Sequence, residues 1–152
     1  MSGVKPVLEL VDPIHDHMYR VVYADTDAGG VVYYGRYMRF FEIGRGEYMR
    51  SVLNMAYSSL EDDGVIMPVV EMYCRYKAPA RYDDLLVIST SIYEYSKISV
   101  RFHYEINLAQ NGHTLIKGYT VHAAVDKKGK LLPLPEKLKQ AIHSAKVGKM
   151  KP

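Results

Sequence analysis

The sequence predicts an α+β fold in which a five-stranded antiparallel sheet packs on one long helix. Three features carry that prediction. Residues 34–52 keep a helical apolar period. Five runs rich in β-branched and aromatic residues surround that stretch, joined mostly by short connections. Asn111-Gly112, the strongest turn dipeptide in the chain, lies between the last two runs. Strands joined by short turns pair antiparallel, and a lone helix must bury its apolar stripe on the sheet they form.

Taken in order, residues 1–15 hold Pro6 and Pro13 without periodicity and read as a flexible arm. Residues 18–23 form the first strand, and the turn cluster Asp25-Thr26-Asp27-Ala28-Gly29-Gly30 follows. In the long helix, Tyr37, Phe40, Phe41, Gly44 and Tyr48 fall on one face. Gly44 and Gly46 each cost roughly 1 kcal/mol there against Ala, so a close backbone approach is expected. Glu42 is expected to pair with Arg39 or Arg45 on the helix surface. A short helix covers residues 58–63, with Ser58 or Ser59 as its cap and Gly64 ending it. Strands two to five follow at 66–77, 85–95, 98–109 and 113–125. An amphipathic helix at 135–145 and a frayed basic tail at 146–152 complete a single domain over 16–145.

Asn111-Gly112 also sets a register. As a two-residue turn it places Gln110 opposite His113. Ile98, Val100, Phe102, Tyr104 and Leu108 then face Val125, Ala123, Val121, Tyr119 and Leu115 on one surface. Arg101 faces His122 and His103 faces Thr120 on the other.

Composition narrows the function. The chain of 152 residues is 48% hydrophobic and 24% charged, a globular balance that excludes general disorder. Its net charge of +3, with no Lys/Arg stripe, argues against a nucleic-acid partner. Mild positive charge suits an anionic ligand such as a nucleotide-bearing cofactor or an acidic carrier protein. The single cysteine, Cys74, points to a reducing compartment and to a small buried side chain in strand two. No signal-peptide pattern opens the chain and no apolar run of about 18 residues occurs, so a cytoplasmic protein without a membrane span is expected. The six histidines lack metal-ligand spacing, and no Gly-x-Ser-x-Gly elbow is present.

Chemistry concentrates between Tyr23 and Tyr37, where a strand end, an acidic turn, a Gly pair and a helix start follow one another. A helix start offers unpaired N–H groups and partial positive charge, which can polarise a carbonyl and hold its developing oxyanion. Gly29 and Gly30 remove bulk where a substrate meets the main chain. A carboxylate beside that site acts as nucleophile or activates a water. The segment therefore contains both halves of an acyl-transfer site. On spacing alone, ordinary turn and capping chemistry is the stronger account of Asp-Thr-Asp.

Resemblance shifts that balance. Arg20-Val21, Thr26-Asp27-Ala28-Gly29-Gly30-Val31-Val32-Tyr33 and Tyr37 resemble the signature of the 4-hydroxybenzoyl-CoA thioesterase family. They are most similar to its bacterial Tol–Pal-associated branch of short-chain acyl-CoA thioesterases. Weaker similarity runs through Phe40-Phe41-Glu42, Pro79-Ala80-Arg81 and Asp83-Asp84, so that most of the chain from Met18 to Asp126 is covered. The resemblance implies the hotdog fold, with the sheet wrapped around the helix. It also implies a homo-oligomer, dimer or tetramer, whose active site lies at a subunit boundary. It assigns the catalytic carboxylate to Asp27 rather than Asp25, the carbonyl-polarising N–H to Tyr34, and substrate contact to Gly30. It also places Ser96, Lys97 and Ser99 at the coenzyme A nucleotide. Coenzyme A enters as part of the substrate, and no separate cofactor or metal is implied. Direct attack by Asp27 and activation of water both stay open. Tyr34 departs from the histidine that the bacterial branch often carries, and a phenol with an ordinary pKa of about 10 is no base near neutrality. The backbone role survives, because any non-proline residue supplies the N–H.

The first expectation is thus hydrolysis of an acyl thioester carried by coenzyme A or an acyl carrier protein. A hotdog hydratase or dehydratase is the alternative, though it normally needs a positioned histidine. A non-catalytic acyl-thioester-binding module is the third.

Overall fold

A computed structural model describes residues 3–152, so the first two residues of the expected arm lie outside the described part. The order is β1 (His15–Arg20), α1 (Tyr37–Ser51), α2 (Tyr57–Asp62), β2 (Val69–Tyr76), β3 (Leu85–Tyr95), β4 (Ser99–Leu108), β5 (Thr114–Ala123), α3 (Glu136–Ala145) and the two-residue β6 (Lys149–Met150). Five strands form one antiparallel sheet in the order β1-β3-β4-β5-β2, and β6 adds parallel to β3 at Glu94 and Tyr95. No helix among the described residues is long and apolar enough to cross a membrane.

The long helix buries the stripe its spacing predicts. Tyr37, Phe40, Phe41, Gly44 and Tyr48 are all buried, with Met49 beside them, as α1 packs on β1, β3 and β4. Full burial of Phe40 and Phe41 contributes roughly 1.5–3 kcal/mol each. The Phe41 ring stacks on Tyr104 of β4 with centroids 4.2 Å apart. At Gly44 side chains, rather than the expected backbone, come close: a Cβ there would lie 2.6 Å from Thr90 Oγ1 and 2.8 Å from Ile88 Cγ2 of β3. Gly46 has no such role, since only the Arg50 guanidinium comes near its missing Cβ, at 3.6 Å.

Several expectations need correction. β1 starts and ends three residues early, because Asp25 draws residues 22–25 into a 3₁₀ turn through Val22 N–H to Asp25 Oδ2 (3.0 Å) and Asp25 N–H to Val22 O (3.0 Å). α2 has no side-chain cap: Ser59 donates instead to Ala56 O at 2.7 Å. Glu42 forms no ion pair among the described residues, because Arg39 turns to Asp25 (3.9 Å) and to the Tyr19 hydroxyl (3.2 Å).

The β4–β5 register is displaced by one residue from the expected one. Val100, Phe102, Tyr104 and Ile106 face His122, Thr120, Gly118 and Ile116. A four-residue loop rather than a two-residue turn, closed by Leu108 N–H to His113 O (2.9 Å) and Gly112 N–H to Leu108 O (2.8 Å), moves the pairing by two residues, and a bulge between Ile106 and Asn107 takes one of them back. A two-residue Asn-Gly turn needs positive φ at both positions, and here only Gly112 has it, at +74°. Asn111 instead accepts the His113 N–H on its side chain at 2.9 Å.

The displacement brings polar groups to the helix side. His122 Nε2 meets Thr120 Oγ1 at 2.8 Å, Thr120 meets the Tyr104 hydroxyl at 2.6 Å, and His122 Nδ1 meets Met67 O at 3.0 Å, so each of these buried groups is partnered. Gly118 sits among them because a Cβ would strike the Tyr73 carbonyl and the Phe41 ring.

Both ends of the chain are fastened where looseness was expected. Leu8 is buried, Arg101 donates to Val7 O at 3.0 Å, Val11 N–H donates to Ser91 at 3.2 Å, and His103 Nδ1 meets Glu9 O at 2.6 Å. Arg101 lies 3.8 Å over the Tyr119 ring and donates Nε–H to His103 Nε2 at 2.9 Å, so the His103 proton resides on Nδ1. This arm covers the polar and aromatic outer face of β4 and β5. At the other end, Val147 is buried and Lys149 and Met150 join β3, because the chain turns back at Lys146 (φ 53°) and Gly148 (φ 59°).

Candidate active site

The segment from residue 25 to 36 is a short ribbon that doubles back before α1. Asp27 N–H donates to Val31 O (2.9 Å), Gly30 N–H to Asp27 O (3.0 Å), and Thr26 bridges Val32. Gly30 takes φ +80°, a left-handed conformation that favours glycine, and Val31 pairs onward with Arg81. The exposed Tyr23 and Tyr82 stack with ring centroids 3.8 Å apart.

The two acids of the turn have opposite surroundings. Asp25 is 1% exposed, and its carboxylate meets Tyr19, Val22, Arg36 and Arg39. Asp27 is exposed, and its Oδ1 accepts the Gly29 N–H at 2.8 Å. That bond steadies the carboxylate within its own turn, and Oδ2 makes no hydrogen bond among the described residues.

Tyr34 opens a 3₁₀ turn over Tyr34–Arg36 that runs directly into α1. Neighbouring amides are engaged: Val32 N–H donates to Ala80 O (2.8 Å), Tyr33 to Asp25 O (2.8 Å) and Arg36 to Tyr33 O (2.8 Å). The Tyr34 and Gly35 N–H groups donate to nothing among the described residues. They are the unpaired donors that a helical start supplies. The Tyr34 ring is 65% exposed, while its carbonyl accepts the Tyr76 hydroxyl at 3.0 Å, tying the helix start to β2. A cavity of about 350 Å³ opens beside it, lined by Val32, Tyr34, Tyr37, Tyr76, Lys77 and Pro79. A second cavity of about 560 Å³ follows the flank of α1 from Arg39 to Arg50 and touches neither Asp27 nor Tyr34.

Ser96, Lys97 and Ser99 form the β3–β4 turn. Ser96 and Ser99 spend their hydroxyls on each other (2.8 Å), and Ser96 also accepts two turn amides. Lys97 is exposed, and its carbonyl accepts the Leu134 N–H at 2.8 Å. The Asp27 loop sits at the Leu85 end of β3, where Val21 N–H bonds Asp84 O, and this turn sits at the Tyr95 end. An eleven-residue strand spans about 33 Å, so one chain does not bring the two groups together. Cys74 plays no visible chemical part, since burial pushes its thiol up to about 11. The sequence reading placed Asp25 and Arg36 in the chemical segment without giving either a role, and it did not name Tyr76 there.

A single helix cradled by an antiparallel sheet, with an acid-bearing loop at the helix start, defines a hotdog domain of the thioesterase class. Residues 29–113, more than half of the chain, match the thioesterase superfamily, and the chain belongs to it. The acyl-CoA thioesterase YbgC of Haemophilus influenzae is 38% identical over 129 residues, covering 84% of this chain and 93% of that one. The acyl-CoA thioester hydrolase YbgC of Escherichia coli O6:H1 is 41% identical over 92 residues, covering 60% of this chain and 68% of that one. Among solved structures, a 1,4-dihydroxy-2-naphthoyl-CoA thioesterase from Synechocystis superposes with a TM-score of 0.79 at 25% identity, covering 86% of this chain and 96% of that one.

Proposed function

We propose that this protein hydrolyses acyl-CoA thioesters, with Asp27 as the carboxylate and the Tyr34 N–H as the donor to the thioester oxygen. The observation that carries the reading is the pairing of an exposed carboxylate with an unpaired amide on the two arms of one ribbon. The amide polarises the carbonyl and holds negative charge as the tetrahedral intermediate forms. Asp27 draws a proton from a water that attacks the carbonyl carbon, or attacks that carbon itself. Collapse of the intermediate breaks the C–S bond and releases the thiol of coenzyme A, and direct attack leaves a mixed anhydride that water then hydrolyses. Its Gly29 bond holds one oxygen and leaves the other to act. Gly30 keeps bulk away from the approach, and the tyrosine-lined cavity beside Tyr34 receives part of the substrate.

The reading treats residues 16–145 as one catalytic domain and the assembly as a homo-oligomer. The free side of edge strand β2, with Val70 and Tyr76 exposed, supports a second copy there. Of the β3–β4 turn, Lys97 alone keeps its charged group unengaged, and it would serve the nucleotide of a substrate held by a neighbouring subunit. Neither sheet histidine is placed for hydratase chemistry, since His103 lies under the arm and His122 is bonded to Thr120 and Met67. The reading is tested by following thiol release from short, long and aromatic acyl-CoAs. Asp27→Asn should lower the rate by roughly 10²–10⁴-fold while the fold and assembly persist. Full turnover in that variant would remove Asp27 from the mechanism.

A further inference from the structure

The buried acid two residues before Asp27 has more partners than a turn needs, and they come from both sides of the loop. Asp25 Oδ2 accepts the Tyr19 hydroxyl at 2.8 Å and the Val22 N–H at 3.0 Å, both from the β1 side. Its Oδ1 faces Arg36 Nε at 3.5 Å and Arg39 at 3.9 Å, both from the helix side. Its main-chain carbonyl accepts the Tyr33 N–H at 2.8 Å, one peptide before the free Tyr34 amide. Arg36 closes the circuit by donating to Ala24 O at 2.6 Å, and its Nε is buried with no hydrogen bond, leaving Asp25 as its counterion.

The geometry points to Asp25 as a positioning residue that fixes the Asp27 carboxylate relative to the Tyr34 amide. The inference rests on the thioesterase reading for what that spacing accomplishes, and on the hydrogen bonds alone for the spacing itself. Asp27 is exposed and held only within its own turn, so the turn as a whole must be anchored from below. Residues 26–32 leave Asp25 and return to it through Tyr33, so Asp25 holds both roots of the loop. The arginines add charge to that grip: bonds to an ionised acceptor are stronger and shorter than neutral ones. The carboxylate thus acts through Val22, Tyr19, Arg36 and Arg39, while the main-chain carbonyl of the same residue holds Tyr33.

Asp25→Asn keeps the volume, the main-chain bond to Tyr33 and one oxygen for Tyr19 and Val22, and removes the charge facing the arginines. The expected result is a fall in kcat of roughly 10²-fold with KM changed by less than about threefold, since misplacing reacting groups costs rate rather than affinity. In a ¹H–¹⁵N spectrum the Asp27, Tyr34 and Gly35 amides should shift while those of β4 and β5 stay in place. Arg36→Gln, at a partly exposed partner, should move the same amides, and it carries the test if Asp25→Asn does not fold. Parent-like kcat together with unmoved loop amides would overturn the positioning role. If Asp27→Asn keeps full turnover, the thioesterase mechanism falls by itself, and the amide shifts still decide whether Asp25 holds the loop.

Discussion

In the proposed mechanism the main chain of Tyr34, not its ring, is the working group. Tyr34 opens a 3₁₀ turn after an extended Tyr33 (φ −58°, ψ 130°), a setting that accepts proline. Tyr34→Pro therefore deletes one N–H with little strain and should lower thiol release by roughly 10²–10³-fold, whereas Tyr34→Phe should leave it near the parent value. Melting temperatures of both variants close to the parent's would show that the amide was removed without unfolding. A proline variant at full rate would mean the carbonyl is held elsewhere. The turn itself was legible in the sequence, and so was its position before a helix. Which acid is free was not, except through the resemblance. Asp25 is neutralised by Tyr19, Arg36 and Arg39, which lie 6 residues before it and 11 and 14 residues after it, so no local window could reveal the difference.

Among the elements, α1 was the easiest to read because a single stripe of it is buried, and a stripe on a lone helix has only the sheet to meet. Its contact with β3 depends on Gly44. Gly44→Ala places a methyl group against Thr90 and Ile88 and should destabilise the fold by about 1–3 kcal/mol, read as a lower urea midpoint. Gly46→Ala meets only the Arg50 side chain and should be neutral or slightly stabilising in the same titration. The β4–β5 hairpin was located correctly but its register was not. Asn-Gly signals a two-residue turn and carries no sign of the longer loop and bulge that form instead. Alternation could not reveal the one-residue offset that the bulge introduces, because both faces are covered. Tyr119 and Val121 turn outward beneath the arm and Tyr104 and Ile116 turn inward beneath α1, so apolar residues occupy both parities. The arm itself escaped notice because its anchors are main-chain carbonyls, which no side-chain pattern records.

Across the whole molecule, two histidines are kept neutral by the packing. Burial lowers both His103 and His122 from 6.5 to about 4, with Arg101 facing the first and Arg45 near the second. The unfolded chain binds protons at these residues below about pH 6.5 while the folded chain refuses them. Stability from this source is therefore complete above pH 6.5 and is lost as pH falls toward 4, by at most about 1.4 kcal/mol per pH unit for each histidine. Urea titrations at pH 7.5, about 5.5 and about 4.5 should show the midpoint dropping along that series, with His122→Gln flattening the slope. An unchanged midpoint would mean that the imidazoles are already charged or already hydrated in the native protein.

The fastening of the two ends has a geometric consequence. Arg101, which grips Val7, is the cross-strand neighbour of Glu94, which pairs with Lys149. The segments around Val7 and Lys149 are thus both tied to one rung, on either side of Glu94. Loosening either end segment would therefore disturb the same pair, Glu94 and Arg101.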